Sequence, residues 1–237
     1  MRKIWRNSEL AFTLLWLWLY CMAQSGGAAL SQTLGVRYAG TALPDLLLAA
    51  GLLLWLRREG LWTRYGLCPT RVPAEKLLWF LPLVLLSTCN LWGGTEQTLT
   101  PLECALCVVT VASAALLEEV LIRGFLFRCL EKRGTGWAVA ISTLVFGGAH
   151  LLNFGALGWT ATLIQVVGAL AFGLLSAVLL LRSGSLWPGI AAHCAINVLS
   201  VFGAKREMGM LLLLTGVQLV LMLGYTAFLL KSTHYWK

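Results

Sequence analysis

The sequence predicts an all-α fold, a polytopic membrane helical bundle of about eight transmembrane helices. Three observations carry that expectation. Of 237 residues, 59% are hydrophobic, and the mean hydropathy is +0.80. Only 12% are charged, about half the ~25% usual in soluble domains. Apolar stretches of the ~17–25 residues needed to cross a bilayer recur from one end of the chain to the other. They leave no room for a soluble domain of ordinary size, so residues 1–237 read as a single integral-membrane domain.

The first stretch, 9–24, follows Arg2, Lys3 and Arg6 and ends in small residues. A basic start, an apolar run and small residues also describe a secretory leader. With further spans behind it, a retained first span is expected. The second stretch, 41–56, carries Asp45 near its start, where an interface position suits a carboxylate. The third is 77–93. The fourth is 101–122, its helix continuing toward 132, and the fifth is 136–152. The sixth, 159–181, holds Gln165, a candidate for a bond between helices. The seventh is 186–202 and the eighth 208–230. The second, fifth and seventh are short or interrupted, which is tolerated where neighbouring helices bury the segment or a cavity lies beside it.

Sidedness follows from Lys and Arg, which concentrate in cytoplasmic loops. With the N-terminus inside, the cytoplasmic segments hold Arg2, Lys3, Arg6, Arg57, Arg58, Arg64, Arg71, Lys76, Arg123, Arg128, Lys132, Arg133, Arg182, Lys231 and Lys237, fifteen of the 18 basic residues. Arg37, Lys205 and Arg206 fall on the other side. An even number of spans with both termini cytoplasmic, in the plasma (inner) membrane, satisfies this bias. Trp92, Trp159, Trp187 and Trp236 lie near span ends, as in an aromatic belt.

A net charge of +8 does not mark a nucleic-acid binder here, because the basic residues sit in loops between spans. Seven cysteines, Cys21, Cys68, Cys89, Cys104, Cys107, Cys129 and Cys194, lie mostly in apolar stretches, where free Cys packs as a small hydrophobe. Cys104 and Cys107 form one CxxC without a second pair, and packing explains it best. The expected surroundings are the lipid bilayer and a hydrophobic or membrane-anchored peptide or protein, not nucleic acid.

Charge inside the apolar stretches is the functional signal. A charged side chain at a bilayer centre costs at least ~2.5–3.5 kcal/mol and marks a functional site by default. The fourth stretch carries Glu118-Glu119-x-x-x-Arg123, the fifth Phe146-x-x-x-His150 and the seventh His193-x-x-x-Asn197. Residues i and i+4 share a helix face, so Glu119 pairs with Arg123. Glu118 lies ~100° around an ideal helix and looks elsewhere. One carboxylate is thereby neutralised, and the other is free to point into a cavity. At ~1.5 Å rise per residue, Glu118 is roughly 20 Å from Lys132, and His150 is about as far from Gly136. His193 and Asn197 lie ~10–16 Å into the seventh span. Similar depths allow one shared pocket in which Glu118 and His150 face His193 and Asn197, and Glu119 does not. Asn153, three residues past His150, suits either that cavity or a helix cap.

This ordered triple resembles the signature of the glutamate-type intramembrane proteases of the CAAX-processing and bacteriocin-processing (Abi) family. That pattern reads Glu-Glu-x-x-x-Arg, Phe-x-x-x-His, His-x-x-x-Asn, and all three parts match without departure. The resemblance implies a catalytic core at about 101–202. It also implies peptide-bond hydrolysis in the membrane, with Glu118 as general base on a water, His150 assisting, and His193 and Asn197 stabilising the oxyanion. Glu119, Arg123 and Phe146 would support the site. It further implies a metal-free mechanism without a cofactor. Zinc is the alternative, with Glu118, His150 and His193 as ligands, since catalytic zinc takes three protein ligands and a water. The His-Glu-x-x-His helix of other metalloproteases is absent, as are Gly-x-Ser-Gly and Gly-x-Gly-Asp motifs. Read from the residues alone, two other classes stay open. One is a proton-coupled carrier using the same groups as a relay. The other is a non-proteolytic immunity or scaffold protein.

Overall fold

The computed structural model describes residues 1–232; Trp236 and Lys237, named above, lie outside them. The helices are α1 (Arg2–Asn7), α2 (Glu9–Leu34), α3 (Ala39–Arg58), α4 (Leu81–Thr88), α5 (Pro101–Glu118), α6 (Phe127–Glu131), α7 (Thr135–Ala149), α8 (Phe154–Ser183), α9 (Trp187–Val201) and α10 (Met208–Lys231). A π-helical segment, Glu119–Leu126, joins α5 to α6. The all-helical expectation holds.

Local chemistry sets the boundaries. Ser8 accepts from the Ala11 amide and opens α2. Thr100 and Glu103 close a reciprocal capping box around Pro101 at the start of α5, satisfying two amides that would otherwise lack partners. Gly35 and Gly184, in the left-handed region at φ 67°, end α2 and α8. Trp187-Pro188 opens α9, where a missing N–H costs nothing.

Among the described residues, four helical runs are long and apolar enough to cross a membrane: Ala39–Arg58, Pro101–Glu131, Thr135–Ser183 and Met208–Lys231. The expectation of about eight was too high. The third and seventh stretches form shorter apolar helices, Lys76–Leu91 and Trp187–Val201. The fifth and sixth belong to one run that turns back on itself through a 3-10 turn at His150–Asn153 and a break at Gly158 (φ 74°). α7 and α8 then pack so closely that a Cβ on Gly147 would lie 2.4 Å from Leu170. Glu9–Leu34 has the length but carries Gln24, Ser25, Ser31 and Gln32 along its second half.

The loops sort to two ends. At one end Arg2 pairs with Glu59, Lys132 and Arg64 pair with Glu9, the Arg71 amide bonds Ser183, and Arg182 bonds the Leu230 carbonyl. At the other end Arg37 bonds Thr98, Arg206 bonds the Asn90 carbonyl, and Thr95 bridges Gly203. This is the grouping of loops that the basic residues suggested, apart from Arg123. That side chain is fully buried and belongs to no loop.

Packing converges on the π segment, whose eight residues are all buried. Val120, Leu121 and Phe125 pack into one core with Phe12, Leu52 and Tyr65, while Ile122 and Leu126 enter a second with Phe146 and Phe172. Phe125 stacks on Tyr65 at 3.9 Å between ring centroids. A helix covered on every side has no solvated face, so its polar residues must find partners inside.

α2 and α3 form a hairpin in backbone contact. A Cβ on Gly40 would stand 2.2 Å from the Gly27 carbonyl oxygen. Gly40→Ala is therefore expected to destabilise the protein by about 1–3 kcal/mol, the cost typical of overpacking a tight interior. Gly26→Ala, which adds a methyl in open space, serves as the control. Thermal unfolding in detergent checks the pair. Equal midpoints for the two variants would contradict the close helix approach.

Candidate active site

The change from α-helix to π-helix falls between Glu118 and Glu119. π turns are rare and occur mostly as short insertions at functional sites. Here the turn widens at the two adjacent carboxylates.

Glu119 is fully buried and has three polar partners. Arg123 Nη1 donates to its Oε1 at 3.2 Å, and His193 Nδ1 lies 3.2 Å from the same oxygen. The Ser176 hydroxyl donates to Oε2 at 2.5 Å. The expected Glu119–Arg123 pair is present. Arg123, also fully buried, lays its guanidinium over Phe146 at 4.0 Å from the ring centroid. A desolvated cation over an aromatic face gains up to ~2 kcal/mol. Its Nε and Nη2 have no hydrogen-bond partner among the described residues, so the ring takes part of that role.

Two glycines make room for this group. A Cβ on Gly173 would stand 3.1 Å from Arg123 Nη2, and one on Gly189 would stand 2.9 Å from Ser176 Oγ. α8 and α9 thus approach the buried ion pair through hydrogen atoms rather than side chains.

Glu118 has a different setting. Its side chain keeps 21% of its surface exposed. Oε1 accepts a 2.6 Å hydrogen bond from the Tyr20 hydroxyl on α2. Oε2 stands 3.6 Å from His193 Nε2 and has no hydrogen-bond partner among the described residues. One oxygen is fixed and the other is free.

His193 therefore lies between the two carboxylates, one beside each ring nitrogen. The sequence reading kept Glu119 apart from the histidines, and this differs. Glu118 and Glu119 keep helical backbone angles and still point apart, but an imidazole with nitrogens on opposite edges reaches both. An ionised carboxylate only accepts, so the Glu119 contact assigns a proton to Nδ1. Nε2 then donates only when the ring carries both protons.

His150 ends α7, and its Nδ1 lies 2.9 Å from the Phe146 carbonyl oxygen. A carbonyl only accepts, so Nδ1 carries the proton and Nε2 is a proton acceptor in the neutral ring. The Phe146 ring meets the His150 and His193 rings edge-on, at 5.2 and 5.4 Å. Phe146 thus links the guanidinium and both imidazoles. Asn197, one turn beyond His193 on α9, is exposed, and its side chain makes no hydrogen bond among the described residues. Glu118, Glu119, Arg123, Phe146, His150 and His193 come together; Asn197 stands at the edge.

Zinc fits this arrangement poorly. Among the described residues no group of three or more His, Cys, Asp or Glu side chains is placed to hold a metal ion. Glu118 and His193 approach each other, but the recorded contacts of His150 are with Phe146.

Other sequence expectations resolve as follows. Asp45 is not at an interface: it is fully buried, and Gln24 Nε2 donates to its Oδ2 at 2.8 Å. Asn153 occupies the cap position of α8 but makes no side-chain cap; it donates to Gln165 at 2.8 Å. All seven cysteines are free. Sequence reasoning missed Tyr20 and Ser176, single hydroxyls inside apolar runs.

An all-helical membrane protein that gathers a buried glutamate–arginine pair, one buried histidine and one half-buried histidine around a second, part-exposed glutamate is the class that fold and site define. A family model, Rce1-like, for type II CAAX prenyl endopeptidases, matches residues 100–199. That segment holds every motif residue, and over it the chain is similar to that family. No curated protein and no solved structure matches the chain. The family points to a CAAX protease-type peptidase in a membrane, with peptide substrates.

Proposed function

We propose that this protein is an intramembrane endopeptidase that hydrolyses a peptide bond of a membrane-associated substrate, with a water activated by Glu118. The observation that carries it is the carboxylate arrangement at His193. Glu119 is spent on Arg123 and Ser176, while Glu118, a part-exposed side chain, keeps its buried Oε2 without a hydrogen-bond partner among the described residues. A general base must stand within hydrogen-bond reach of the proton it removes, and Oε2 of Glu118 is the oxygen free to do so.

In this reading Glu118 takes a proton from water as the oxygen attacks the carbonyl carbon of the scissile bond. His150 Nε2 assists as a second acceptor. The doubly protonated His193 donates from Nε2 to the developing oxyanion, while Glu119 faces Nδ1 and compensates the ring's charge. Donors aimed at a developing oxyanion in a dry site are worth roughly 3–4 kcal/mol each. Asn197, at the open edge, supplies a second donor once substrate fills the site. The proton on Glu118 then passes to the leaving amine. Glu119, Arg123 and Phe146 are positioning residues.

The catalytic core is about 101–202, supported by the match over 100–199. The whole chain is one membrane domain, in the plasma (inner) membrane with both termini cytoplasmic. The gathering of basic loops at one end supports that orientation. The substrates are CAAX-type tails or related membrane-anchored peptides, and the mechanism uses no metal.

The test is cleavage of a farnesylated CAAX-box peptide by purified protein in lipid vesicles. Cleavage that persists in excess EDTA and phenanthroline is expected. Activity lost to chelators and restored by added zinc would overturn the metal-free mechanism. A vesicle assay showing pH-driven flux and no cut peptide would favour the carrier.

A further inference from the structure

The catalytic segment ends nothing by itself: one oxygen of Glu118 is held from outside it. Tyr20 lies on α2, 80 residues before the family-matched segment begins at residue 100. Its ring is buried, at 9% exposure, in the core that also holds Phe12, Trp16 and Leu117. Its hydroxyl reaches Glu118 Oε1 at 2.6 Å, within the ~2.5–2.7 Å of a hydrogen bond from a hydroxyl to a charged oxygen. Such bonds are roughly twice as strong as neutral ones.

The placement of α2 is rigid where it matters. Below Tyr20, Phe12 sits 4.6 Å from Trp55 and 5.3 Å from Phe125 between centroids. Above it, the Gly27–Gly40 approach locks α2 against α3. One turn along α2, Gln24 bonds the buried Asp45 of α3. The phenol is thus delivered to Glu118 by a helix pinned on both sides.

We propose that Tyr20 is a positioning residue for Glu118. By occupying Oε1 it fixes the carboxylate's rotation and leaves Oε2 as the oxygen that meets the water. Its hydroxyl acts through Glu118, the partner it bonds, so its effect falls on turnover and not on substrate binding. This rests on the proteolytic reading above.

Two measurements test it. In the vesicle assay with the farnesylated peptide, Tyr20→Phe is expected to lower kcat roughly 10- to 100-fold, the scale on which displacing a reacting group by about 1 Å acts, with KM within twofold. A Tyr20→Phe enzyme with unchanged kcat, or with a raised KM and full kcat, would overturn the proposal. The second measurement needs no activity. With 3-fluorotyrosine placed at position 20, its fluorine NMR resonance in detergent is expected to move on Glu118→Gln and to stay in place on Glu131→Gln, whose carboxylate pairs with Arg128. A resonance indifferent to Glu118→Gln would overturn the contact. Failure of the wild type to cleave would overturn the protease reading and with it the catalytic role of Tyr20, while the resonance would still decide whether Tyr20 holds Glu118.

Discussion

Glu118→Gln is expected to abolish peptide cleavage, lowering it by at least ~10²–10⁴-fold, the usual contribution of a positioned general base. Gln keeps the shape of the side chain, and its carbonyl oxygen still accepts from Tyr20. It loses the one thing the site requires, a group that takes a proton from water. Glu118 lies outside the Glu119–Arg123–Ser176 group, so the variant should unfold at the wild-type temperature. Product formation from the farnesylated peptide, measured beside thermal unfolding, checks both halves. Wild-type cleavage by Glu118→Gln would remove Glu118 from the chemistry.

Arg123→Met carries the largest expected effect on stability. The guanidinium is fully buried, contacts Glu119 at 3.2 Å and covers Phe146. Removing one partner of a buried ion pair leaves the other charge uncompensated, at a cost of about 3–5 kcal/mol. Ser176 and His193 still contact Glu119, but Ser176 is neutral and His193 is shared with Glu118, so neither replaces the charge of Arg123. The physical cause has a second consequence. Glu119→Gln with Arg123→Met, which removes both charges, is expected to recover much of the lost stability. Thermal unfolding of the three variants in detergent checks this. A single variant as stable as the wild type would mean that the pair does not hold the site.

Much of this was legible because charge in an apolar run is costly. That cost singled out Glu118, Glu119, Arg123, His150 and His193, and helical spacing paired Glu119 with Arg123. What charge does not mark was harder to see. Tyr20 and Ser176 each bring one hydroxyl into an apolar stretch, and such a group carries no penalty large enough to stand out. Gly173 and Gly189 matter through the side chains they lack. The π turn was hidden because Val120, Leu121 and Ile122 read as ordinary helix; a shift in backbone hydrogen bonding leaves no trace in their side chains. The two carboxylates were set apart by their step around the helix, whereas the two nitrogens of His193, on opposite edges of one ring, meet both. Asp45 read as an interface residue because Gln24, its partner on the preceding helix, is adjacent only once α2 and α3 close at Gly27 and Gly40. The number of spans was overcounted because each apolar run, even a short one with neighbours to bury it, was counted as a span, while the helices Lys76–Leu91 and Trp187–Val201 fall below the ~17–25 residues a crossing takes.

The central claim is that Glu118 activates water instead of attacking the peptide itself. A single turnover in H₂¹⁸O, with enzyme in excess over the farnesylated peptide, separates the two by mass spectrometry. The account predicts one ¹⁸O in the new carboxylate of the cleaved peptide and none in the proteolytic fragment containing Glu118. Product carrying only ¹⁶O, with ¹⁸O incorporated at Glu118, would contradict it.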